Sequence, residues 1–582
     1  MSSRLKSIIW PSAILFLVAC PAFADQRVTS EHLLPKRTLA LVKIPNAAEF
    51  RRKWNASSFG AMQRDPAFGP FFADFERQVD RLTAGVKRTL GVGVKQVWLA
   101  LEGEVAVGLV HSPESGVAFV GLIEVAPDDG LAARRIAALD AALAAGGAKD
   151  VRIQAGDRDI VSWTAGSGDD QLTFSYFRQG NHLVVSRDLN ALLTVAAAAK
   201  GPVSETLSAN PVYRHIVDET RASSGDPAIQ WYVDPVSALS AAVSDNLQDN
   251  PNRDLVTGLL SRAGLAQFKG IGGTIELASA FADNVTRTFG YVEPPASGLL
   301  QAFALPATRQ VPPNWVAEDA NLYMQINWSG PRFYRAIESF FDSFQGPGAF
   351  NSFVGTGRLP NTDSSFRDVM EQLVGPVHVV ATLPTSTGEL LKQPAVFAVR
   401  IRDAKKAEAM LRGIAEASGA QVRSVGGIPR YSLRLGLPTG DQSVDIAFSI
   451  AEGSLMVSTS PQYLESVLAG RTKKRPLAQS SVFKAATGQF PEETSLLSYS
   501  RQDGRFELLY EQIRTGSFKI PLYGGIVTGL GLDFSKLPPA QAIRPYLQTS
   551  AGFIEPADKG FRMIDIGYWP QRQPEQPRHG TR

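Results

Sequence analysis

Residues Ala395–Gly419 read AVFAVRIRDAKKAEAMLRGIAEASG, and this stretch decides the fold. Val396, Phe397, Val399 and Ile401 mark a β-strand that runs into Asp403. A helix follows, with Ala407, Met410, Leu411 and Ile414 on one stripe. Asp403 is placed to cap that helix, because its carboxylate can accept from N–H groups that the first turn leaves unpaired. The same unit occurs earlier: Val117–Val125 (VAFVGLIEV), then Asp128 or Asp129 as cap, then a helix carrying Ile136, Leu139 and Leu143.

Working outward from this unit, further landmarks recur in the same order. Thr38–Pro45 (TLALVKIP) matches Asn321–Trp328 (NLYMQINW), and Gly103–Val107 matches Gly375–Val379. Phe119 matches Phe397, which predicts a loss of ~3–5 kcal/mol for Phe397→Ala if that side of the strand faces the core. Two hairpins follow, turning at Gly180-Asn181 and at Glu452-Gly453, with Gly180 matched to Gly453 as the residue of positive φ. Each enters a helix, with Leu189, Leu192 and Leu193 in one copy and Tyr463, Leu464 and Val467 in the other. Asn210-Pro211-Val212-Tyr213 then matches Ser480-Ser481-Val482-Phe483, and Gly290-Tyr291 matches Gly567-Tyr568.

The chain therefore divides into repeat one at 33–293, a Pro-rich linker at 294–319 (Pro294, Pro295, Pro306, Pro312, Pro313), repeat two at 320–570, and a polar tail at 571–582. Strand alternation and tight hairpins point to an α+β fold: two tandem copies of a largely antiparallel sheet with helices covering one face. A doubly wound nucleotide-binding fold lacks support, since strands and helices do not strictly alternate.

Residues 1–24 have the parts of a signal peptide: Arg4 and Lys6, an apolar run from Ile8 to Ala19, and Ala22-Phe23-Ala24 as a cleavage site before Asp25. Leu17-Val18-Ala19-Cys20 offers the alternative of a lipoprotein signal with Cys20 lipidated. Both predict export to the periplasm or beyond. Cys20 is the only cysteine, so stability rests on the core and not on disulfides. The net charge of +3 falls when Arg4 and Lys6 are removed, leaving 57 basic against 56 acidic residues, which gives no field for nucleic acid. A membrane association is expected only if Cys20 carries lipid.

The opening Leu33-Leu34-Pro35 with Thr38–Pro45, the phrase Asp65-Pro66-Ala67-Phe68 and Gly103-Glu104-Val105-Ala106 resemble a family of uncharacterised secreted bacterial proteins, a domain of unknown function beginning with a Leu-Leu-Pro…Thr-Leu-Ala…Ile-Pro segment. The resemblance implies export and assigns no activity and no catalytic residue.

Motifs of chemistry are few. None of His32, His111, His182, His215, His378 and His579 stands in a metal-binding spacing, and His182 and His378 fall on strands as structural histidines. Ser481-Val482-Phe483-Lys484 has a Ser-x-x-Lys spacing and Ser244-Asp245-Asn246 a partner phrase, but their order is reversed and no Lys-Thr-Gly follows. Gly270-Ile271-Gly272-Gly273 and Gly524-Gly525…Gly529…Gly531 lack the Lys-Ser/Thr of a phosphate loop and read as close packing or turns. The oxygen-rich loop at Asp245, Asp249, Asn250, Asn252 and Asp254 lacks the glycine and glutamate of a calcium loop. Asn284-Val285-Thr286 is a glycosylation sequon beside a strand and carries no weight. Catalytic, cofactor-binding and metal-binding residues are therefore expected to be absent. The sequence predicts a non-catalytic envelope protein, a binding or scaffold module for an envelope component or small apolar ligand; an envelope-polymer hydrolase and a lipid carrier are the alternatives.

Overall fold

The computed structural model describes residues 28–570 apart from 83, 85–93, 126–136, 138–139, 142, 146, 156–157, 166–171, 223–224, 247–257, 259–261, 356, 383–393, 437–442, 471–474, 503–505 and 517–531. The signal segment with Cys20, the caps Asp128 and Asp129, Ile136, Leu139, Asp249–Asp254, Gly524–Gly531 and the tail lie outside the described residues.

The strands of the first half are β1 (Ala40–Ile44), β2 (Val105–Ser112), β3 (Gly116–Glu124), β4 (Lys149–Ala155), β5 (Arg158–Ala165), β6 (Leu172–Gln179), β7 (His182–Ser186), β8 (Ile229–Val233), β9 (Phe268–Leu277) and β10 (Asn284–Val292). After the two-residue β11 (Thr308–Arg309) come β12 (Leu322–Ile326), β13 (Leu373–Ala381), β14 (Ala395–Ile401), β15 (Gln421–Val425), β16 (Ile428–Gly436), β17 (Ser443–Ala451) and β18 (Ser454–Ser458). The two-residue β19 (Glu493–Thr494) pairs with β11, and β20 (Leu496–Arg501), β21 (Thr549–Ala557) and β22 (Gly560–Gly567) complete the set.

All but β11 and β19 join one antiparallel sheet of 20 strands. In the first half the strands lie in the order β4-β5-β6-β7-β3-β2-β1-β8-β9-β10. From the far edge inward, the second half runs β15-β16-β17-β18-β14-β13-β12-β20-β21-β22. Strand for strand the two orders are the same. The halves meet through their last strands, β10 and β22, which pair antiparallel from Asn284↔Gly567 to Tyr291↔Gly560.

One face of the sheet is packed by helices. In the first half Leu189–Lys200 and Pro211–Glu219 cover Leu41, Val110, Val120, Leu122, Tyr232 and Phe289. In the second, Pro461–Gly470 and Ser481–Thr487 cover Tyr323, Val380, Val396, Ala398, Leu497 and Tyr499. The caps that begin these helices follow from the sequence. Asp188 accepts from Ala191 N, Asn210 from Val212 N and Tyr213 N, and Ser480 from Phe483 N. Asp403 caps its helix as expected, accepting from Lys406 N.

Backbone hydrogen bonds repeat as well. Leu207 N donates to Leu34 O in the first half and Leu477 N to Val316 O in the second; Lys36 N donates to Glu205 O and Glu318 N to Arg475 O. Val316 thus takes the place of Leu34. Trp315 and Val316, read from sequence as linker, are buried in the second core.

Three matches made from sequence need correction. By the pairings Lys43↔Ala106 and Gln325↔His378, Thr38–Pro45 answers to Ala320–Asn327 and not to Asn321–Trp328. Val107 pairs with Gly121 and Val379 pairs with Phe397, so Phe397 stands where Gly121 does, and Phe119 answers to Ala395. Ser186 Oγ accordingly donates to Phe119 O, and Ser458 Oγ to Ala395 O. The hairpin turn differs too. Gly180 is the residue with positive φ (58°) in the first turn, whereas Glu452 (52°) and Gly453 (69°) both have it in the second. Gly453 therefore answers to Asn181, and aligning glycine with glycine shifts the register by one residue. Gly290-Tyr291 and Gly567-Tyr568 hold their match, since the pairings Gly273↔Thr288 and Gly552↔Asp565 make Thr288 answer to Asp565, two residues before each glycine.

Candidate functional site

Two places could hold function: a buried ionic cluster and the sheet's second face. The cluster forms at the end of β1. Leu39, Leu41 and Lys43 share one side of the strand, so the lysine is carried into the packed face. Lys43 Nζ donates to Glu31 Oε2 at 2.7 Å and lies 3.4 Å from Glu104 Oε2. Glu104 also accepts from Ser30 N at 2.7 Å, and its Oε1 lies 3.4 Å from His182 Nε2. Behind it, Glu104 N and Asn181 Nδ2 both donate to Glu124.

Burial penalises both charges, yet each is held in its ionised form. Burial draws the Lys43 ammonium down, but Glu104 and Glu31 outweigh it and hold its pKa above the ordinary value. Burial pushes the Glu104 carboxyl up, and the neighbouring His182 and Lys43 more than reverse this, leaving it at about 2. Lys43, Glu104 and His182 are all buried, so the cluster is closed to any substrate. Its arrangement suits pinning the Ser30–His32 turn to the ends of β1, β2 and β7.

In the second half the corresponding positions are neutral. Gln325 and His378 stand where Lys43 and Ala106 do, by the pairings Lys43↔Ala106 and Gln325↔His378. Tyr323 Oη donates to Gln325 Oε1 at 3.0 Å and lies 3.1 Å from His378 Nδ1. Burial lowers the His378 pKa to about 4, so the ring is neutral at pH 7. His182 and His378 are thus strand histidines inside the protein, as expected. A cleft beside Trp315 and Tyr463, with an enclosed volume of about 50 Å³, has room only for a few waters.

The second face is different. Side chains alternating with the packed ones point to a surface that is covered in part: Val161, Trp163, Tyr176, Leu183 and Val185 are buried there with Leu143, and Ile123 is buried with Ala47 and Leu101. Val42 is 50% exposed, Phe119 42% and Phe397 43%, so the condition for a core-sized loss at Phe397 is not met. Two rows of neighbours cross this face. The first reads Gly121, Val107, Val42, Trp231, Gly273, Thr288, Met563, Ile554, Leu496 and Ile326. The second, its counterpart from the other half, reads Phe397, Val379, Met324, Ser498, Gly552, Asp565, Thr286 and Ile275. Among these eighteen positions Asp565 is the one charge.

The remaining motifs resolve into structure. Ser481 and Lys484 are both exposed on the first turns of a helix that Ser480 caps. Glycines 270, 272 and 273 permit close approach: a Cβ at Gly270 would meet Val212 at 2.8 Å, and one at Gly273 would meet Arg287 O at 2.0 Å. Among the described residues no group of three His, Cys, Asp or Glu side chains could hold a metal. No described helix is long and apolar enough to cross a membrane. Sequence reasoning missed the Lys43 cluster and the open rows. The signal for Lys43 was its place in the alternation of TLALVKIP, on the side of Leu39 and Leu41.

No family model, curated protein or solved structure matches this chain.

Proposed function

We propose that the protein is an exported, non-catalytic binding module that takes an apolar ligand across the open face of its sheet. The observation that carries this is the pair of rows from Gly121 to Ile326 and from Phe397 to Ile275, aliphatic, aromatic or small over most of their length and partly exposed. Exposed contiguous apolar surface marks an interaction site more often than an accident of folding. The richest polar cluster, around Lys43 and Glu104, is closed and internally paired, which favours binding over turnover of an envelope polymer.

A pyrene-labelled long-chain alcohol, titrated against the full chain and followed by fluorescence, tests this. Saturable binding is expected, weakened at least about tenfold in the double variant Val42→Asp, Phe397→Asp, as burying two charges against an alkyl chain requires. Absence of binding, or binding indifferent to the substitutions, refutes the proposal. So does hydrolysis of an envelope substrate abolished by one carboxylate substitution.

A further inference from the structure

Among the eighteen positions of the two rows a single carboxylate stands near the centre, and its chemistry narrows the ligand. Asp565 sits on β22 between Gly552 of β21 and Thr286 of β10, beside the seam where the halves meet. Among the described residues no side chain donates to it or pairs with it. Ser498 Oγ, nearby on the same face, donates instead to Gly552 O at 3.2 Å. The arginines on the two seam strands, Arg287 and Arg562, belong to the opposite face by the alternation of side chains. There Arg287 pairs with Glu276, and Arg562 with Glu219 and Glu555. Asp565 is thus a partly buried carboxylate whose neighbours along the two rows carry no cation, and its desolvation raises its pKa.

Glycine keeps the space beside it clear. A Cβ at Gly552 would come within 2.8 Å of Asp565 Oδ2. The counterpart of Asp565 in the first half is Thr288, by the pairings Gly273↔Thr288 and Gly552↔Asp565. The doubled sheet therefore has two apolar rows and one anionic point. From Asp565 the second row runs outward over Gly552, Ser498, Met324 and Val379 to the exposed Phe397. That is five strand spacings, about 24 Å, a distance on the scale of a long extended alkyl chain.

Resting on the binding function proposed above, we infer that Asp565 anchors the headgroup of the ligand, an amphiphile with a protonated amine whose alkyl chain lies along the row to Phe397. An ammonium supplies the opposite charge that the row around Asp565 lacks and satisfies the carboxylate with charge-assisted hydrogen bonds. The uncharged row supplies the contact for the chain.

Displacement of the pyrene-labelled alcohol by hexadecylamine and by hexadecanol, on the full chain, tests the inference. The amine is expected to displace the probe at a concentration roughly tenfold or more below that of the alcohol, as a hydrogen-bonded charge implies. Asp565→Asn should bring the two concentrations together. Thr286→Lys should do the same with Asp565 still present, because Thr286 stands opposite Asp565 and the new ammonium would occupy the carboxylate. That second variant decides the matter if Asp565→Asn does not fold. Equal displacement by amine and alcohol in the unsubstituted chain, or a preference that survives Thr286→Lys, overturns the anchor while leaving apolar binding intact. Failure of both compounds to displace, or of the probe to bind, overturns the binding proposal and this inference with it.

Discussion

The two halves solve one problem in opposite ways. At the end of β1 the first half buries an ionic cluster of Lys43, Glu31, Glu104 and His182, while at the end of β12 the second buries the neutral trio Tyr323, Gln325 and His378. Strand order, the helices of the packed face and the backbone bonds at Leu34 and Val316 are the same around both. The difference teaches that the frame is held by pairing and packing, and that the polar layer inside it can be rebuilt with other chemistry.

The largest effect should come from breaking the ionic version. Glu104→Ala leaves Lys43 without one of its two carboxylates and should cost ~3–5 kcal/mol, measured by urea unfolding. Gln325→Ala removes only neutral hydrogen bonds and should cost ~1–3 kcal/mol. Equal losses would break the contrast between the halves.

Acid should separate them next, in two windows. The His378 pKa is lowered from 6.5 to about 4 in the folded protein, so the unfolded chain binds the proton first. Its contribution is present above pH 6.5 and is lost as pH falls towards 4, with a magnitude of about 3 kcal/mol. The Glu104 carboxyl is lowered from 4.5 to about 2, so its contribution is present above pH 4.5 and lost as pH falls towards 2, again about 3 kcal/mol. Unfolding free energies against pH for His378→Leu should flatten the upper window, and those for Glu104→Gln the lower. A variant that flattens the wrong window contradicts the assignment.

The two faces differ as the two halves do. Leu122→Ala, on the packed face, should cost ~2–5 kcal/mol, whereas Phe397→Ala, on the open face, should cost less than about 1 kcal/mol. A large loss at Phe397 would mean that the face is covered. The smallest effects sharpen the equivalence of the halves. Asn210→Ala and Ser480→Ala each remove a helix cap and should cost about 1 kcal/mol apiece. Ser481→Ala and Lys484→Ala, exposed and beside that cap, should stay within about 0.5 kcal/mol by the same thermal or urea assay.

Much of this frame was legible in the sequence, because strands, caps and hairpins are local. Asp403, Asn210 and Ser480 announce helix starts, and the alternation of VAFVGLIEV and AVFAVRI announces strands. Register was not legible to the residue. Gly180 alone adopts positive φ in one hairpin while Glu452 and Gly453 share it in the other, so matching the glycines misplaces the strands. A slip of that kind also hides which face Phe397 occupies. The seam between β10 and β22 joins residues far apart in the chain, and no local pattern encodes it. The ionic cluster gathers Glu31, Lys43, Glu104 and His182 from four separate segments, and no local pattern says that they meet.

The central claim is that the second face of the sheet is open and apolar at Val42 in one half and at Phe397 in the other. Thiol labelling tests it most directly, in a chain whose only cysteine, Cys20, is replaced by serine. Val42→Cys and Phe397→Cys report on the open face, and their neighbours Leu41→Cys and Val396→Cys on the packed one. A maleimide should modify the first pair in the native protein and the second pair only after unfolding, with hexadecylamine protecting Phe397→Cys. Equal rates for the two pairs, or native protection of Val42→Cys and Phe397→Cys without any added ligand, would contradict it.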